Sequence, residues 1–425
     1  MNVRVAMGMV AAVGMSSCNG PDAMAPTPPV TSALAPPLTT PGATASSGAV
    51  DGGGGGGGGG TPAASAATFP DDVAFLSKFG AVHVLEGKGG ARVALSAKYQ
   101  GRVMTSAVEA SGTSFGWINR DFISAGKIGT QFDNYGGEDR FWLGPEGGQF
   151  GLYFPPGKPF AFDTWQVPSA IQEGAWDMAD ATPARAVFKK TMTVTSWSGT
   201  AFTVEIERTV RLVDVPAADG VRAVAFETVN KITNRGKDAW KRETGLPSMW
   251  ILAMFAPSPD AHVIVPFENG APLKGTTIVN DAYFGKVAAE RLVVHEDKGF
   301  MVFTADGKER GKIGVGPARA KLLTVVQYDK PKAGAPYVNS MWEQQKAPYA
   351  GDVVNSYNDG SPGPGKPPLG GFYEIESSSP GAELAPGQSL VHTHRTFHMV
   401  GEPAALEPLA KKMLGVALAE VSPAR

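Results

Sequence analysis

The chain has 425 residues, with 38 Lys and Arg against 40 Asp and Glu, and a formal net charge of −2. It contains no long run of basic residues, so the concentrated positive charge that nucleic-acid binding requires is missing, and no nucleic-acid partner is expected. The hydrophobic content of 43% is that of an ordinary globular protein and not of a disordered or membrane-spanning one.

Residues 1–18 have the pattern of a lipoprotein signal peptide. Arg4 supplies positive charge, a short apolar stretch follows from Val5 to Met15, and Cys18 is the single cysteine of the chain. This stretch is shorter than the roughly 20 residues that span a bilayer. The pattern predicts export and lipidation of Cys18, which would anchor the protein in a membrane facing the periplasm or the cell surface. The alternative is a plain N-terminus in which the cysteine stands by chance.

Residues 19–67 are rich in Pro, Ala, Ser and Gly, and glycine fills every position from 52 to 60. Such a composition offers almost nothing to bury, so this segment is predicted to be a disordered tether.

Residues 68–425 are predicted to form one large antiparallel β-sandwich domain, hence an all-β protein, with a short helix at each end. The first helix is expected to begin at Pro70 and to stop at Gly80, and the second is expected around Leu406, Leu409 and Met413. Between them the apolar residues alternate with polar ones, and Gly, Pro, Asn and Asp separate roughly 14 to 18 strand-like segments. They include 82–85, 92–95, 102–105, 191–195, 202–213, 221–232, 249–255, 291–294, 300–304, 321–327, 371–376 and 390–399. No linker divides this region, and a monomer is expected.

The first cluster that suggests chemistry lies in residues 133–149. It combines carboxylates, an arginine and large aromatic side chains around paired glycines, and we interpret Asp139, Arg140, Trp142 and Glu146 as substrate-binding residues. A sugar ring is bound by such a mixture, because aromatic faces contact its C–H surface while carboxylate and guanidinium groups bind its hydroxyls. The alternative is a network between Arg140 and carboxylates that only holds a loop.

A second cluster offers oxygen ligands in residues 351–360. Asp352, Asn355, Asn358 and Asp359 would suit Ca²⁺, which binds carboxylate and amide oxygens. The alternative is an ordinary turn, in which Asn, Asp and Gly are common.

A third cluster spans two strand-like segments near the C-terminus. Period two places Glu374 and Glu376 on one face of their strand, and His392 and His394 on one face of theirs, so carboxylates and imidazoles are expected to converge. The glutamates are the candidate catalytic residues and the histidines candidate substrate-binding residues. Two histidines at this spacing could also hold zinc, although the sequence offers no evident third ligand.

The segments at both ends of the domain resemble the galactose mutarotase-like supersandwich, the fold of aldose 1-epimerases. The similarity rests on the opening pair of strands at 91–95 and 101–106, on 141–148, and on 373–387, where a glutamate precedes Pro380 and a Leu-Ala-Pro-Gly turn. The resemblance implies that Glu376 is the general base, with Glu374 as the second candidate. The general-acid histidine of the epimerases has no counterpart in 244–250.

More narrowly, residues 69–400 resemble an uncharacterised domain-of-unknown-function family of exported bacterial proteins. We therefore expect a carbohydrate-binding protein of the cell envelope that would act on a sugar through Glu376. The two alternatives are an active epimerase, glycosidase or lyase, and a structural envelope lipoprotein without catalysis.

Overall fold

The computed structural model describes residues 67–129, 131–256, 261–264, 300–305, 321–329, 334–358, 371–415 and 417–418. The predicted signal peptide with Cys18, the predicted tether up to residue 66, the predicted strand at 291–294 and the candidate ligand Asp359 lie outside these residues. Within them, no helix combines the length and the apolar character needed to cross a membrane.

The described part of the chain is built mainly from strands. In chain order these are β1 (Val82–Glu86), β2 (Arg92–Ser96), β3 (Arg102–Ala107), β4 (Arg140–Gly144), β5 (Asp177–Thr182), β6 (Arg185–Thr195), β7 (Ala201–Leu212), β8 (Arg222–Asn234), β9 (Ser248–Phe255), β10 (Ala261–Ile264), β11 (Phe300–Ala305), β12 (Leu322–Tyr328), β13 (Val354–Asn358), β14 (Tyr373–Ser378) and β15 (Ser389–Val400). The helices are α1 (Phe69–Ser77), α2 (Arg120–Ala125), α3 (Ser169–Gln172) and α4 (Pro403–Leu414).

The strands form three antiparallel sheets. A three-stranded sheet has the order β1-β2-β3, an eight-stranded sheet has the order β10-β11-β12-β15-β8-β7-β6-β5, and a four-stranded sheet has the order β13-β14-β9-β4. The predicted all-β sandwich with a helix near each end is confirmed. The bridge between Val103 and Asp139 joins the three-stranded sheet to the start of β4.

Period-two alternation explains the long central strands. In β7 the apolar side chains of Phe202, Val204, Ile206 and Val210 are buried, as is Arg208, while the residues that alternate with these five are more exposed. Full burial of each such apolar side chain contributes roughly 1.5–3 kcal/mol, which fixes the register because a one-residue slip would expose all of them. β5 was missed by the sequence reading because all six of its residues are exposed and show no alternation.

Contacts between the sheets show which face of the four-stranded sheet is the inner one. Ser377 of β14 forms hydrogen bonds with His392 and His394 of β15. Asp139, immediately before β4, pairs with Arg208 of β7. Successive residues of a strand point to opposite faces, so Glu374, Glu376 and Arg140 lie on the other face, away from the eight-stranded sheet. We call this side of the four-stranded sheet the outer face.

Candidate functional site

The outer face collects most of the polar and aromatic candidates. Strand pairing places Arg140 of β4 opposite Leu252 of β9, and Leu252 opposite Glu376 of β14. Asn355 of β13 is in turn opposite Glu376. Arg140, Leu252, Glu376 and Asn355 therefore form one row across the sheet, with their side chains on the same face.

Arg140 forms a buried ion pair with Glu374. The Nη2 atom of Arg140 lies 2.6 Å from Oε1 of Glu374, and both side chains are almost fully buried. The guanidinium also lies over the Trp142 ring, 4.4 Å from its centre, and its Nη1 faces the sulfur of Met254 at 3.7 Å. Burial of a charge is tolerated only when it is paired in this way, so this pair holds the centre of the outer face in one arrangement.

Glu376 is held beside an indole. Trp250 Nε1 donates a hydrogen bond of 2.8 Å to Oε2 of Glu376. Burial raises the pKa of Glu376, while the Trp250 indole, the nearby Arg140 charge and the Asn355 amide oppose this rise. Burial therefore favours the protonated form of Glu376 more strongly than in a solvent-exposed glutamate.

Glu146 is the third carboxyl group of the site and lies two residues after β4. Trp165 Nε1 donates a hydrogen bond of 2.8 Å to its Oε1. Burial raises its pKa to about 7, partly offset by the indoles of Trp342 and Trp165, and the Glu374 charge adds to the rise. Near neutral pH this group is therefore divided between the acid and the carboxylate, as a proton donor requires.

Tyr153 lies near enough to Glu146 and Glu376 for both charges to affect its pKa. Its hydroxyl donates a 3.0 Å hydrogen bond to the carbonyl oxygen of Leu143. Burial raises its pKa well above the usual value, and the charges of Glu146 and Glu376 both raise it further. Both carboxylates thus act on the same phenol. The sequence reading missed Tyr153, which stands in an ordinary apolar run.

Aromatic rings surround these charged groups. The rings of Trp142, Trp165 and Trp250 lie 5.5, 6.2 and 6.2 Å from Tyr153, centre to centre. Trp342 stacks on Trp165 at 6.3 Å. The sequence identified Trp142 as a candidate but gave no signal to separate Trp165, Trp250 and Trp342 from core residues, because these come from distant segments of the chain.

A small pocket opens on the outer face beside Trp250, with an enclosed volume of about 20 Å³, which is room for about one water molecule. It is lined by Gly144, Ser248, Trp250, Val338, Ser340, Asp352, Asn355 and Ser378. Trp250 and Asn355 also border Glu376, so the pocket is adjacent to the carboxyl site. Partial burial raises the pKa of Asp352.

The structure brings together five of the residues predicted from the sequence and separates three others. Those on the outer face are Arg140, Trp142, Glu146, Glu374 and Glu376. Asp139, His392 and His394 lie on the inner side instead, so the expected convergence of the two histidines with Glu374 and Glu376 does not occur. The reason is the alternation of β14, in which Ser377 points inward between two outward residues.

The three residues on the inner side belong to a buried polar network. Asp139 lies 2.5 Å from Arg208 and accepts a 2.8 Å hydrogen bond from Thr228. Ser377 Oγ lies 2.9 Å from His392 Nε2 and 2.8 Å from His394 Nδ1. Burial is the main cause that lowers the pKa of His392 to about 3 and that of His394 to about 4, so both are neutral at pH 7.

The candidate calcium ligands are only partly assembled in the described residues. Asp352 and Asn355 line the same pocket. Asn358 is three positions after Asn355 on β13, which places it on the opposite face. Among the described residues, no group of three or more His, Cys, Asp and Glu side chains could hold a metal ion. The Ca²⁺ site stays a prediction.

Comparisons with known proteins identify a family and similar solved structures. A family model described as a family of unknown function (DUF6786) matches residues 67–425. No curated protein matches the chain. Among solved structures, the chain is similar to a proposed aldose 1-epimerase from Escherichia coli K12, with a TM-score of 0.41, 10% identity, and coverage of 76% of this chain and 99% of the other.

Two further structures give the same result. One is a galactose mutarotase-like protein from Lactobacillus casei, with a TM-score of 0.42, 10% identity, and coverage of 75% and 100% of the two chains. The other is a galactose mutarotase related enzyme from Lactobacillus acidophilus, with a TM-score of 0.39, 11% identity, and coverage of 76% and 97%. The resemblance predicted from the sequence is confirmed, but similarity at this level carries no argument about the site.

Proposed function

The chain belongs to the family of unknown function DUF6786, and we propose that its β-sandwich binds a carbohydrate on the outer face of the four-stranded sheet. The observation that carries this proposal is the arrangement around Glu376. Glu376 and Glu146 each accept a hydrogen bond from a tryptophan indole, and Glu374 pairs with Arg140, which lies over the Trp142 ring. Sugars need this combination, because their C–H faces stack on aromatic rings while their hydroxyls both donate and accept hydrogen bonds.

Unused hydrogen-bond donors support the same proposal. Arg140 Nε and Trp142 Nε1 are buried and have no hydrogen-bond partner among the described residues. An unpaired buried donor costs roughly 1–3 kcal/mol, so such groups call for a ligand or a bound water. Both lie on the outer face beside the carboxyl groups, where ligand hydroxyls would satisfy them.

We further propose the setting in which this binding occurs. The N-terminal pattern ending at Cys18 supports an exported lipoprotein, and the composition of residues 19–67 supports a tether that holds the sandwich away from the membrane. Its partners would then be a carbohydrate ligand and, through the lipid alone, a membrane.

A screen of purified protein by thermal shift tests the binding proposal. Neutral monosaccharides, uronic acids, oligosaccharides and Ca²⁺ would each be added at millimolar concentration. A ligand present at 100 times its dissociation constant adds about 2.7 kcal/mol of stability, which is readily measured. The matched control is Trp142→Leu, which removes an aromatic wall and an unpaired donor. A shift that persists unchanged in this variant, or no shift with any sugar, would contradict the proposal.

A second candidate function is acid–base chemistry on the bound sugar, favoured by the raised pKa values of Glu376 and Glu146. The Glu376 carboxylate would take the proton of an anomeric hydroxyl while the bond from the anomeric carbon to the ring oxygen breaks. The Glu146 carboxylic acid would give its proton to that ring oxygen, and the open aldehyde would close again on either face. Glu146 would thereby take the place of the acid histidine that residues 244–250 lack.

Anomer exchange followed by NMR tests this second candidate. Wild-type protein should speed the exchange of the sugar that binds, while Glu376→Gln and Glu146→Gln should each slow it by about 10²-fold or more. Release of reducing ends from an oligosaccharide would instead identify a glycosidase. No acceleration of either reaction by protein that binds the sugar would leave binding alone as the function.

A further inference from the structure

The pocket next to Glu376 contains a buried hydroxyl group that nothing in the described residues satisfies. Ser248 is 1% exposed, and its Oγ has no hydrogen-bond partner. The residue lines the pocket at the start of β9, directly opposite Gly144 at the end of β4. A buried hydroxyl without a partner is unfavourable, so the pocket is built to receive a group that forms hydrogen bonds.

Gly144 leaves space next to this buried hydroxyl. A Cβ atom at position 144 would lie 2.6 Å from Ser248 Oγ, closer than two such atoms approach. Any other residue there would therefore press against Ser248 and reduce the space in the pocket. Gly144 thus provides the space in which a ligand group could form a hydrogen bond with Ser248.

The remaining walls are polar apart from Val338 and the Trp250 ring, and none of the lining residues that the structure describes carries a positive charge. Ser340 and Ser378 contribute hydroxyls, Asn355 an amide and Asp352 a carboxylate. The Ser340 hydroxyl oxygen already accepts a 3.2 Å hydrogen bond from the backbone of Glu146, so its own proton is available for donation. Hydroxyl groups of a ligand, which donate and accept, match these walls. A carboxylate or phosphate would face Asp352 without a counter-charge.

We infer that this pocket is a subsite that accepts a neutral, hydroxyl-bearing substituent of the ligand held at Glu376 and rejects an anionic substituent at the same place. The inference rests on the proposed carbohydrate binding and adds a class of substrate to it. Ser248 is the group that recognises the hydroxyl, and Asp352 is the group that repels the anion. Both are specificity residues, since neither contacts the carboxyl groups of Glu376 or Glu146 in the described contacts.

Matched sugar pairs that differ only at one substituent provide the test. The probes are glucose with glucuronate and galactose with galacturonate, and their dissociation constants are measured by calorimetry on the wild-type protein. The variants are Ser248→Ala and Asp352→Asn. The controls are Ser198→Ala and Asp219→Asn, which change exposed residues far from the pocket in sequence. All variants are first compared by thermal unfolding, so that a fold defect is recognised.

The wild type should bind the neutral member of at least one pair roughly tenfold or more tightly than its uronate. Ser248→Ala should weaken binding of that neutral sugar roughly 3- to 10-fold. Asp352→Asn should bind the uronate more tightly than the wild type does, so the preference for the neutral sugar over its uronate should become smaller. The subsite is overturned if the wild type binds the uronate as tightly as the neutral sugar or more tightly. It is also overturned if the dissociation constants are unchanged in both variants. In either case the proposal of carbohydrate binding is unaffected. Binding of neither pair overturns the subsite, whereas the proposed function is overturned only if no sugar in the thermal-shift screen binds.

Discussion

The indole of Trp250 donates a 2.8 Å hydrogen bond to Glu376, and the same ring forms one wall of the pocket that contains Ser248. One side chain thus fixes the orientation of the candidate base and shapes the neighbouring subsite. Because β9 carries Trp250 and Ser248 two residues apart, both point to the outer face. Replacement of Trp250 would therefore alter both the contact with Glu376 and the wall of the Ser248 pocket.

Replacement of Glu376 by glutamine separates a chemical role from a structural one. The amide oxygen of glutamine can still accept the Trp250 hydrogen bond, so we expect the melting temperature to change little. Any turnover should be lost, whereas sugar binding should stay within a few fold of the wild type. Binding and rate are measured on the same preparation, with the exposed residue Glu243 changed to glutamine as the control. Equal loss of binding and fold stability would show that Glu376 only holds the sheet.

The raised pKa of Glu146 predicts a pH-dependent stability. Because the folded-state pKa of about 7 exceeds the usual 4.5, the folded state binds this proton more tightly than the unfolded state does. The stabilisation by this group is therefore complete below pH 4.5 and is lost as the pH rises through 7. One pKa unit corresponds to about 1.4 kcal/mol, so between pH 5 and pH 8 the loss is on the order of 2 kcal/mol.

Urea denaturation of the wild type and of Glu146→Gln at these two pH values measures this effect. The glutamine variant does not titrate but can still accept the Trp165 hydrogen bond. We expect the wild type to lose about 2 kcal/mol more than the variant between pH 5 and pH 8. Parallel stability curves for the two proteins would show that the Glu146 pKa is not raised by folding.

The sequence predicted the class of fold and several residues of the outer face. It did not predict which distant residues contact them. Strand alternation identified Glu374 and Glu376 as neighbours on one face, and the dense polar segment around Arg140 was a local signal. Both readings depend on residues that are close in the chain. The position of the imidazoles depended on how β15 stacks against β14, which is a long-range relationship that no local pattern contains.

The same limit explains the residues that were missed. Tyr153 and Ser248 have no unusual neighbours in the sequence, and they become notable only when distant segments pack around them. Asp139 shows the opposite error. It was grouped with Arg140 because the two are adjacent, yet adjacent strand residues face opposite sides. Asp139 accordingly pairs with Arg208 in the interior.

The two buried ion pairs of this region should differ in their effect on binding. Asp139→Asn weakens the pair with Arg208, and Glu374→Gln weakens the pair with Arg140. Each change leaves an arginine buried without its counter-charge, so each should destabilise the fold by about 3–5 kcal/mol. Only Glu374→Gln should also weaken sugar binding, because only that pair lies on the outer face.

Chemical denaturation and calorimetric titration of these two variants give both quantities. Measurements at a temperature well below both melting points ensure that the proteins are folded. The sugar is the one that gives the largest thermal shift with the wild type. If Asp139→Asn weakened sugar binding as much as Glu374→Gln, the inner network would have to be counted as part of the site.

The inner histidines predict loss of stability in mild acid. Folding lowers the pKa of His392 to about 3 and of His394 to about 4, whereas an unfolded histidine titrates near 6.5. Below pH 6.5 the unfolded chain therefore binds protons that the folded chain does not, and stability falls as the pH falls. Each histidine contributes up to about 1.4 kcal/mol per pH unit until its folded pKa is reached.

Glu146 acts in the opposite direction between pH 7 and pH 4.5, so the net slope of the wild type understates the histidine effect. Comparison with His392→Gln and His394→Gln removes this overlap. Each variant loses a hydrogen bond to Ser377 and should be less stable than the wild type at pH 7.5. The gap should then shrink by about 1.4 kcal/mol per pH unit on going from pH 6 to pH 5, measured by urea denaturation. A gap that stays constant would mean that these histidines take up protons in the folded state and are not enclosed between the sheets.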